Sequence, residues 1–257
     1  MVLMDWHPHF GFDIAEMEQT TCFITGTDTG VGKTVLTALL TRYLRERGIN
    51  VAALKPVCSG GRGDARALHA ALNGALSLDE VNPWHFRAPI APLLAARREH
   101  KHVRLADVLA HVRAMQKRFD VLLVEGAGGL LSPLGENFDS RDLIAALRAA
   151  PMVVCPNRRG AVNQVLLFLE ALPRGAAAKA RVVLMSPSKP DAATRTNPSL
   201  LAEHFDGERI FTLPWLGGRF NLASGLGDSQ VRKALRELMS GFLNFSVKSR
   251  CNFREGR

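Results

Sequence analysis

A glycine-rich segment between an apolar run and an amphipathic one constrains this chain more than any other feature. Thr21–Gly26 (TCFITG) has the β-branched and aromatic content of a strand, and Lys33–Arg47 carries the apolar repeat of a helix. Between them lies Gly26-Thr27-Asp28-Thr29-Gly30-Val31-Gly32-Lys33-Thr34. A strand that enters a helix through glycines turns backbone N–H groups toward one point, and the helix N-terminus adds its positive dipole end. The turn therefore reads as a phosphate cradle for a nucleoside triphosphate. Lys33 is expected to reach the β- and γ-phosphates, and the Thr34 hydroxyl to take a Mg²⁺ ligand position. The strict spacing G-x4-GKT is not met, because Gly26 lies one residue early and Thr27 holds the glycine position.

The same alternation continues along the chain. Strands are expected at Asn50–Leu54, Val121–Glu125, Pro151–Cys155, Arg181–Met185 and Arg209–Leu213. Helices are expected at Asp64–Leu72, Leu105–Lys117, Ser140–Ala149, Ala161–Leu172 and Ser229–Leu243. Short apolar runs suit strands covered on both faces, and their alternation with helices suits βαβ units. The fold class is α/β, a mostly parallel sheet with helices on both faces. No linker, repeat or composition break divides it, so a single domain is expected.

The 257 residues, 47% of them hydrophobic, suffice to bury a large core without cross-links. Cys22, Cys58, Cys155 and Cys251 are too scattered for a disulfide framework or a CxxC pair, and fit a reducing compartment. No run approaches the ~18 apolar residues of a membrane span. Residues 1–19 carry Asp5, Asp13, Glu16 and Glu18 and lack the basic and apolar regions of a signal peptide. The expectation is a cytoplasmic protein with an N-terminal extension over 1–20, one domain over 21–244 and a basic C-terminal tail over 245–257.

Two further strand ends carry chemistry. The second strand runs into Lys55-Pro56-Val57-Cys58-Ser59-Gly60 and is expected to lie beside the first, which would aim Lys55 at the phosphate site. A surface lysine is the plain alternative. Ser59 offers a hydroxyl to a substrate or belongs to a turn; Asp64 is a helix N-cap or a Mg²⁺ ligand. Val121–Glu125 is apolar up to its terminal carboxylate and then runs into Gly126-Ala127-Gly128-Gly129. An acid at such a strand tip holds Mg²⁺ directly or through water, and a buried carboxylate with no cation would be costly.

GTDTGVGKT at Gly26–Thr34, KPVCSG at Lys55–Gly60 and VEGAGG at Val124–Gly129 together resemble the dethiobiotin synthetase family, and Pro-Trp-Leu at Pro214–Leu216 is a weaker marker. The resemblance spans about Thr21 to Leu243. It implies a P-loop NTPase-like domain with a seven-stranded sheet and a homodimer with the active site at the interface. It also implies a Mg²⁺- and ATP-dependent cyclo-ligase that joins 7,8-diaminopelargonic acid and CO₂ or bicarbonate, with no nucleic acid or membrane as partner. Lys33 and Lys55 are then catalytic. The nucleotide would be held by Gly30, Val31, Gly32, Lys33, Thr34 and Val35, by Asp64, Glu125, Gly126, Ala127 and Gly128, and by Ser186, Pro214, Trp215 and Leu216. Thr34, Asp64 and Glu125 match the magnesium positions. Thr29, Ser59, Gly160, Ala161, Val162 and Asn163 match substrate positions.

The chain departs from the family pattern in three places. Where the family has a segment like V-x-x-x-L-G-x-I-N-H, whose helix N-terminus takes the substrate carboxylate across the dimer interface, this chain has Cys155–Gln164 (CPNRRGAVNQ). Gln164 replaces the histidine, and Arg158 and Arg159 precede the glycine. These arginines are a second way to hold a carboxylate, or a solvated turn. After the fifth strand the family places Asn, commonly Asn-Asp, on the adenine edge; Ser186-Pro187-Ser188 stands here. A hydroxyl and a proline lack the paired donor and acceptor of an amide, so looser selection among nucleoside triphosphates is expected. The stretch between Lys55 and Asp64 is also short.

Rival readings are a ParA- or MinD-like regulatory ATPase, an amidoligase of the cobyrinate type, and an inactive nucleotide-binding paralogue. Lys plus Arg number 33 against 24 acids, a formal +9 that alone suggests a polyanion. Part of that excess (Lys248, Arg250, Arg254, Arg257) falls in the tail, and part (Arg97, Arg98, Lys101, Arg104) on an expected exposed connection. Lys33 and Lys55, with the Arg158–Arg159 pair, remain for small anions.

Overall fold

Valine, leucine and isoleucine runs too short for helices pair edge to edge, and helices between them return the chain to the same end of the sheet. The computed structural model describes residues 20–217 and 221–243. Strand β1 (Thr20–Gly26) leads through the glycine loop into α1 (Lys33–Arg45). Strands β2 (Val51–Leu54) and β3 (Val57–Ser59) precede helices α2 (Gly63–Leu72) and α3 (Leu78–Val81). Next come β4 (Trp84–Phe86), α4 (Pro92–Arg98), α5 (Leu105–Gln116), β5 (Val121–Glu125) and α6 (Ser140–Leu147). Then follow β6 (Ala150–Pro156), α7 (Ala161–Ala171), α8 (Arg174–Ala177), β7 (Arg181–Met185) and α9 (Ala192–Ala202). A 3₁₀ turn over Gly207–Arg209, β8 (Ile210–Leu213), α10 (Leu222–Gly227) and α11 (Ser229–Leu243) complete the described chain.

The main sheet is wholly parallel in the order β2-β5-β1-β6-β7-β8. Three expectations change here. β2 does not lie beside β1: β5 stands between them, pairing Ile24 with Glu125 on one side and Leu54 with Val124 on the other. All five residues of β5 are buried, so it takes an interior position. Just past the end of β2, the Lys55 N–H donates to the carbonyl of Val81, the last residue of α3. Among the described residues the main sheet has six strands rather than seven. A separate parallel pair, β3 with β4, was not expected, because three residues are too few to show a period.

The expected helices appear within a few residues of their bounds, and α3, α4, α8, α9 and α10 are additional. Helix α9 contains Pro198 and was obscured by it; a capping box between Asp191 and Thr194 starts the helix instead. Two apolar clusters lie between the layers, a large one and a smaller one where α7 and α9 cover β6 and β7. Phe23 and Ile24 of β1, Leu36, Leu39, Leu40 and Leu44 of α1, and Leu122 and Leu123 of β5 are all essentially inaccessible to solvent. Arg97 pairs with Glu136, Lys101 with Glu99 and Arg104 with Asp107 on the surface, so this basic cluster is largely neutralised. Cys22, Cys58 and Cys155 are free thiols. The expected extension and tail lie outside the described residues except Thr20, where β1 begins.

Candidate active site

The tips of β1, β2 and β5 meet at one end of the sheet, and the strand order decides what they bring together. Beyond β1, the backbone N–H groups from Gly30 to Val35 have no backbone acceptor among the described residues. They form the open end of α1 that an anion completes. Gly32 sits at φ 102°, a region that L side chains rarely adopt. A Cβ placed there would lie 2.9 Å from the Met185 Cε. Gly32→Ala is expected to lose about 1–3 kcal/mol of stability through backbone strain and to weaken nucleotide binding. A denaturant titration and a nucleotide binding isotherm check both. Gly26 answers the spacing puzzle of the loop: its Cβ would strike the Val31 side chain at 2.5 Å, so the loop folds back onto the end of β1.

Because β2 and β5 are neighbours, Lys55 and Glu125 end adjacent strands. The Lys55 Nζ donates to Glu125 Oε1 at 2.6 Å and to Asp64 Oδ2 at 2.7 Å. The Thr34 hydroxyl donates to the same Glu125 oxygen at 2.7 Å. Side chains of Lys55 and Glu125 are buried, whereas Asp64 keeps 55% of its side chain exposed. Glu125 is therefore the stronger partner, since the exposed pair is screened by solvent. Burial alone would lower the Lys55 pKa, but Glu125 and Asp64 outweigh it and hold the ammonium well above its ordinary range. Burial also opposes the ionised Asp64, yet Lys55 keeps its pKa low. Lys33, by contrast, is lowered to about 8 by burial and by the nearby Lys55. Its Nζ rests on the Asp28 carbonyl at 2.7 Å.

Lys33, Thr34, Lys55 and Asp64 line a cavity of about 640 Å³, and Glu125 is buried outside its lining. Thr29, Lys33, Thr34 and Asp64 stand on its phosphate side, Ala127 and Gly128 at the β5 end, and Ser59 toward the far wall. That far wall, Pro89 to Pro92, is missing from the sequence reading; the two prolines around Ile90 are the signal that marks a rigid segment there. The Ser59 hydroxyl donates to the Ile90 carbonyl at 2.6 Å, tying the two walls together. Asp64 lies within the first turn of α2 and not at its N-cap, which is Arg62. Gly126 is buried and lines neither cavity. Its Cβ would meet Ser140 Oγ at 3.0 Å and Phe23 at 3.1 Å, so packing explains it.

A second pocket, of about 360 Å³, adjoins the loop at Gly30–Gly32 and Val35. Ser186, Pro214, Trp215 and Leu216 meet there, joined by Pro156, Met185 and Pro187. Arg158 also lines this pocket, away from the Lys55 cavity. Gly160, Ala161, Val162 and Asn163 line neither cavity; they form the N-cap and first turn of α7, where Gly160 is left-handed and no side chain caps the helix.

A family model described as an AAA domain matches residues 20–218. The ATP-dependent dethiobiotin synthetase BioD of Anaeromyxobacter sp. (strain Fw109-5) is 42% identical over 185 residues, 70% of this chain and 83% of that protein. That of Anaeromyxobacter dehalogenans (strain 2CP-C) is 39% identical over 216 residues, covering 82% and 97%. That of Bacillus velezensis is 35% identical over 201 residues, covering 76% and 84%. Two solved structures share the fold at 13% identity. They are pNOB8 ParA bound to nonspecific DNA (TM-score 0.50, 86% of this chain and 97% of that one) and a plasmid partition protein of Borrelia burgdorferi B31 bound to AMPPNP (0.53, 88% and 98%). The partition proteins share the fold alone, whereas the synthetases are similar in sequence over most of this chain. This chain belongs to the ATP-dependent dethiobiotin synthetase family of P-loop enzymes.

Proposed function

We propose that the Lys55 cavity closes the ureido ring of dethiobiotin from 7,8-diaminopelargonic acid (7,8-diaminononanoate), CO₂ and ATP, as a step of biotin synthesis. The observation that carries the reading is the buried Lys55 ammonium. It gives two of its three protons to Glu125 and Asp64, and the third has no protein partner among the described residues. It thus offers a fixed positive charge beside the phosphate loop, in a cavity with room for a second substrate.

Chemistry of this kind asks little covalent work of the protein and much positioning. One amine of the substrate attacks CO₂, a C–N bond forms, and loss of a proton leaves a carbamate. A carbamate oxygen then attacks the γ-phosphorus, the bond to the β-phosphate oxygen breaks, and ADP departs. The second amine attacks the carbonyl carbon of the resulting carbamic–phosphoric anhydride. The C–O bond to phosphate breaks, phosphate leaves with the electron pair, a proton is lost and the ring closes. Lys55 neutralises the carbamate and the transferring phosphoryl group, Lys33 leaves the Asp28 carbonyl for the β- and γ-phosphates, and Thr29 and Ser59 orient the diamine.

Magnesium fits the donor set. Glu125 Oε2 is buried with no hydrogen-bond partner, and the Thr34 hydroxyl and the Asp64 carboxylate lie next to it through shared bonds. Among the described residues no three His, Cys, Asp or Glu side chains gather into a full cage. That suits an ion which uses one or two carboxylates plus phosphate oxygens and water. Bound there, Mg²⁺ would neutralise charge on the β- and γ-phosphates. The start of α7 at Gly160–Asn163 would take the substrate carboxylate of a partner subunit in a cytoplasmic homodimer. Nucleic acid and membrane have no part in this reading; among the described residues no helix is long and apolar enough to cross a membrane.

The purified protein, given ATP, Mg²⁺, diaminopelargonate and bicarbonate, is expected to form dethiobiotin with one ADP and one phosphate per ring. Mass spectrometry and a coupled ADP assay measure both. ATP turnover that ignores the diamine would favour a regulatory ATPase and overturn the ligase reading.

A further inference from the structure

Among side chains, an amide reads adenine with a matched pair of hydrogen bonds, because its adjacent donor and acceptor complement those of the base edge. The second pocket contains one amide side chain, Asn157, and the fold has already used it. Its Nδ2 donates to the Thr194 carbonyl at 3.0 Å, and its Oδ1 accepts from Asn197 Nδ2 at 2.9 Å. Asn157 is buried, so this pairing stitches β6 to α9 and is not free to turn toward a ligand. Two main-chain N–H groups of the pocket are committed as well. The Asn157 N–H donates to the Met185 carbonyl at 2.8 Å, and the Ser186 N–H to the Leu213 carbonyl at 2.9 Å.

Three polar side-chain groups remain at this pocket among the described residues: the Ser186 hydroxyl, the Arg158 guanidinium and the Trp215 indole N–H, a single donor. Arg158 is exposed, and among the described residues its guanidinium has no hydrogen-bond or ion-pair partner. A guanidinium only donates, in a planar fork that fits two adjacent acceptors. Guanine presents such a pair at O6 and N7, and cytosine at O2 and N3; adenine puts its N6 amino donor beside both N1 and N7 and offers no two adjacent acceptors. The apolar walls, Met185, Pro187, Pro214 and Trp215, grip any flat ring without regard to its edge.

We propose that Arg158 is a base-reading residue and that the enzyme uses guanine and cytosine nucleoside triphosphates alongside ATP. The inference rests on the ligase reading for its reaction, and on the second pocket being the seat of the base. Arg158 is thereby assigned to the nucleotide and not to the substrate carboxylate. Ser186 accepts or donates one bond to whichever base is present and does not discriminate.

The test compares kcat/KM for ATP, GTP and CTP with diamine and bicarbonate saturating. It also ranks the affinities of the three nucleotides by displacement of a fluorescent nucleotide from the full chain. GTP and CTP are expected within about 10-fold of ATP, since a bidentate arginine contact contributes about that factor. Arg158→Ala should lower GTP and CTP by about 10-fold more than ATP, and Ser186→Asn, which installs an amide, should shift the ranking toward ATP. An ATP preference above about 100-fold in the wild type overturns the proposal. So does an Arg158→Ala variant that weakens all three nucleotides equally. If no nucleotide yields a ring-closed product, the ligase reading fails, while the displacement ranking still decides the base.

Discussion

Lys55→Ala is expected to cut dethiobiotin formation by about 10³-fold or more, while nucleotide affinity changes by no more than about 3-fold. The separation follows from where the ammonium sits. The phosphate loop grips the nucleotide through backbone N–H groups and Lys33, neither of which touches Lys55. The reacting carbamate and phosphoryl oxygens, by contrast, gather negative charge beside Lys55 in a cavity sheltered from water, where a fixed charge acts with little screening. Stability should fall too, because the substitution leaves the Glu125 carboxylate buried without its cation. Breaking a buried pair in this way costs about 3–5 kcal/mol, whereas the half-exposed Asp64 adds little. A nucleotide binding isotherm, a product assay and a urea melt on one protein preparation separate these effects. Turnover within 10-fold of wild type (roughly 1.4 kcal/mol) would remove Lys55 from the reaction.

Glu125→Gln tests the other half of the cluster. The amide keeps the shape of the side chain but has no charge for Mg²⁺, and its second polar atom turns from acceptor to donor. Turnover is expected to fall about 10²-fold, and nucleotide binding to lose most of its dependence on magnesium. The measurement is the ratio of nucleotide affinities with Mg²⁺ and with EDTA. In the wild type that ratio should be large; in Glu125→Gln it should approach one. An unchanged ratio would show that Glu125 serves Lys55 alone. The two substitutions share a partner, so the double variant should lose less stability than the sum of the singles.

Much of the site was legible because it is local. The loop from Gly26 to Thr34, the carboxylate closing an apolar run at Glu125 and the KPVCSG segment each combine a chemical group with the backbone that aims it. Periodicity adds which residues are strand and which are helix, and therefore which strand end each group occupies. The surplus of positive charge also resolves along these lines. Lys33 and Lys55 face the cavity, Arg158 faces the second pocket, and Arg97, Lys101 and Arg104 are paired on the surface.

What was not legible depends on contacts between distant segments. A strand does not announce its neighbour. The sheet places β2 against β5, which is apolar up to Glu125 and buried throughout, while the last residue of α3 accepts a hydrogen bond just past the end of β2. That one choice puts Lys55 within 2.6 Å of Glu125. The Pro89–Pro92 wall reaches the cavity through the hydrogen bond from Ser59, which spans 31 positions and leaves no local pattern. Asn157 is occupied in the fold by Thr194 and Asn197, which α9 brings across from about 40 positions away. The sequence alone determined that this chain binds a nucleoside triphosphate at a strand–helix turn, since glycine geometry and helix dipole act within a dozen residues. Only the tertiary structure decided which charges meet and which polar groups stay free to read a ligand, because pairing in a buried site is settled by the neighbours that packing supplies.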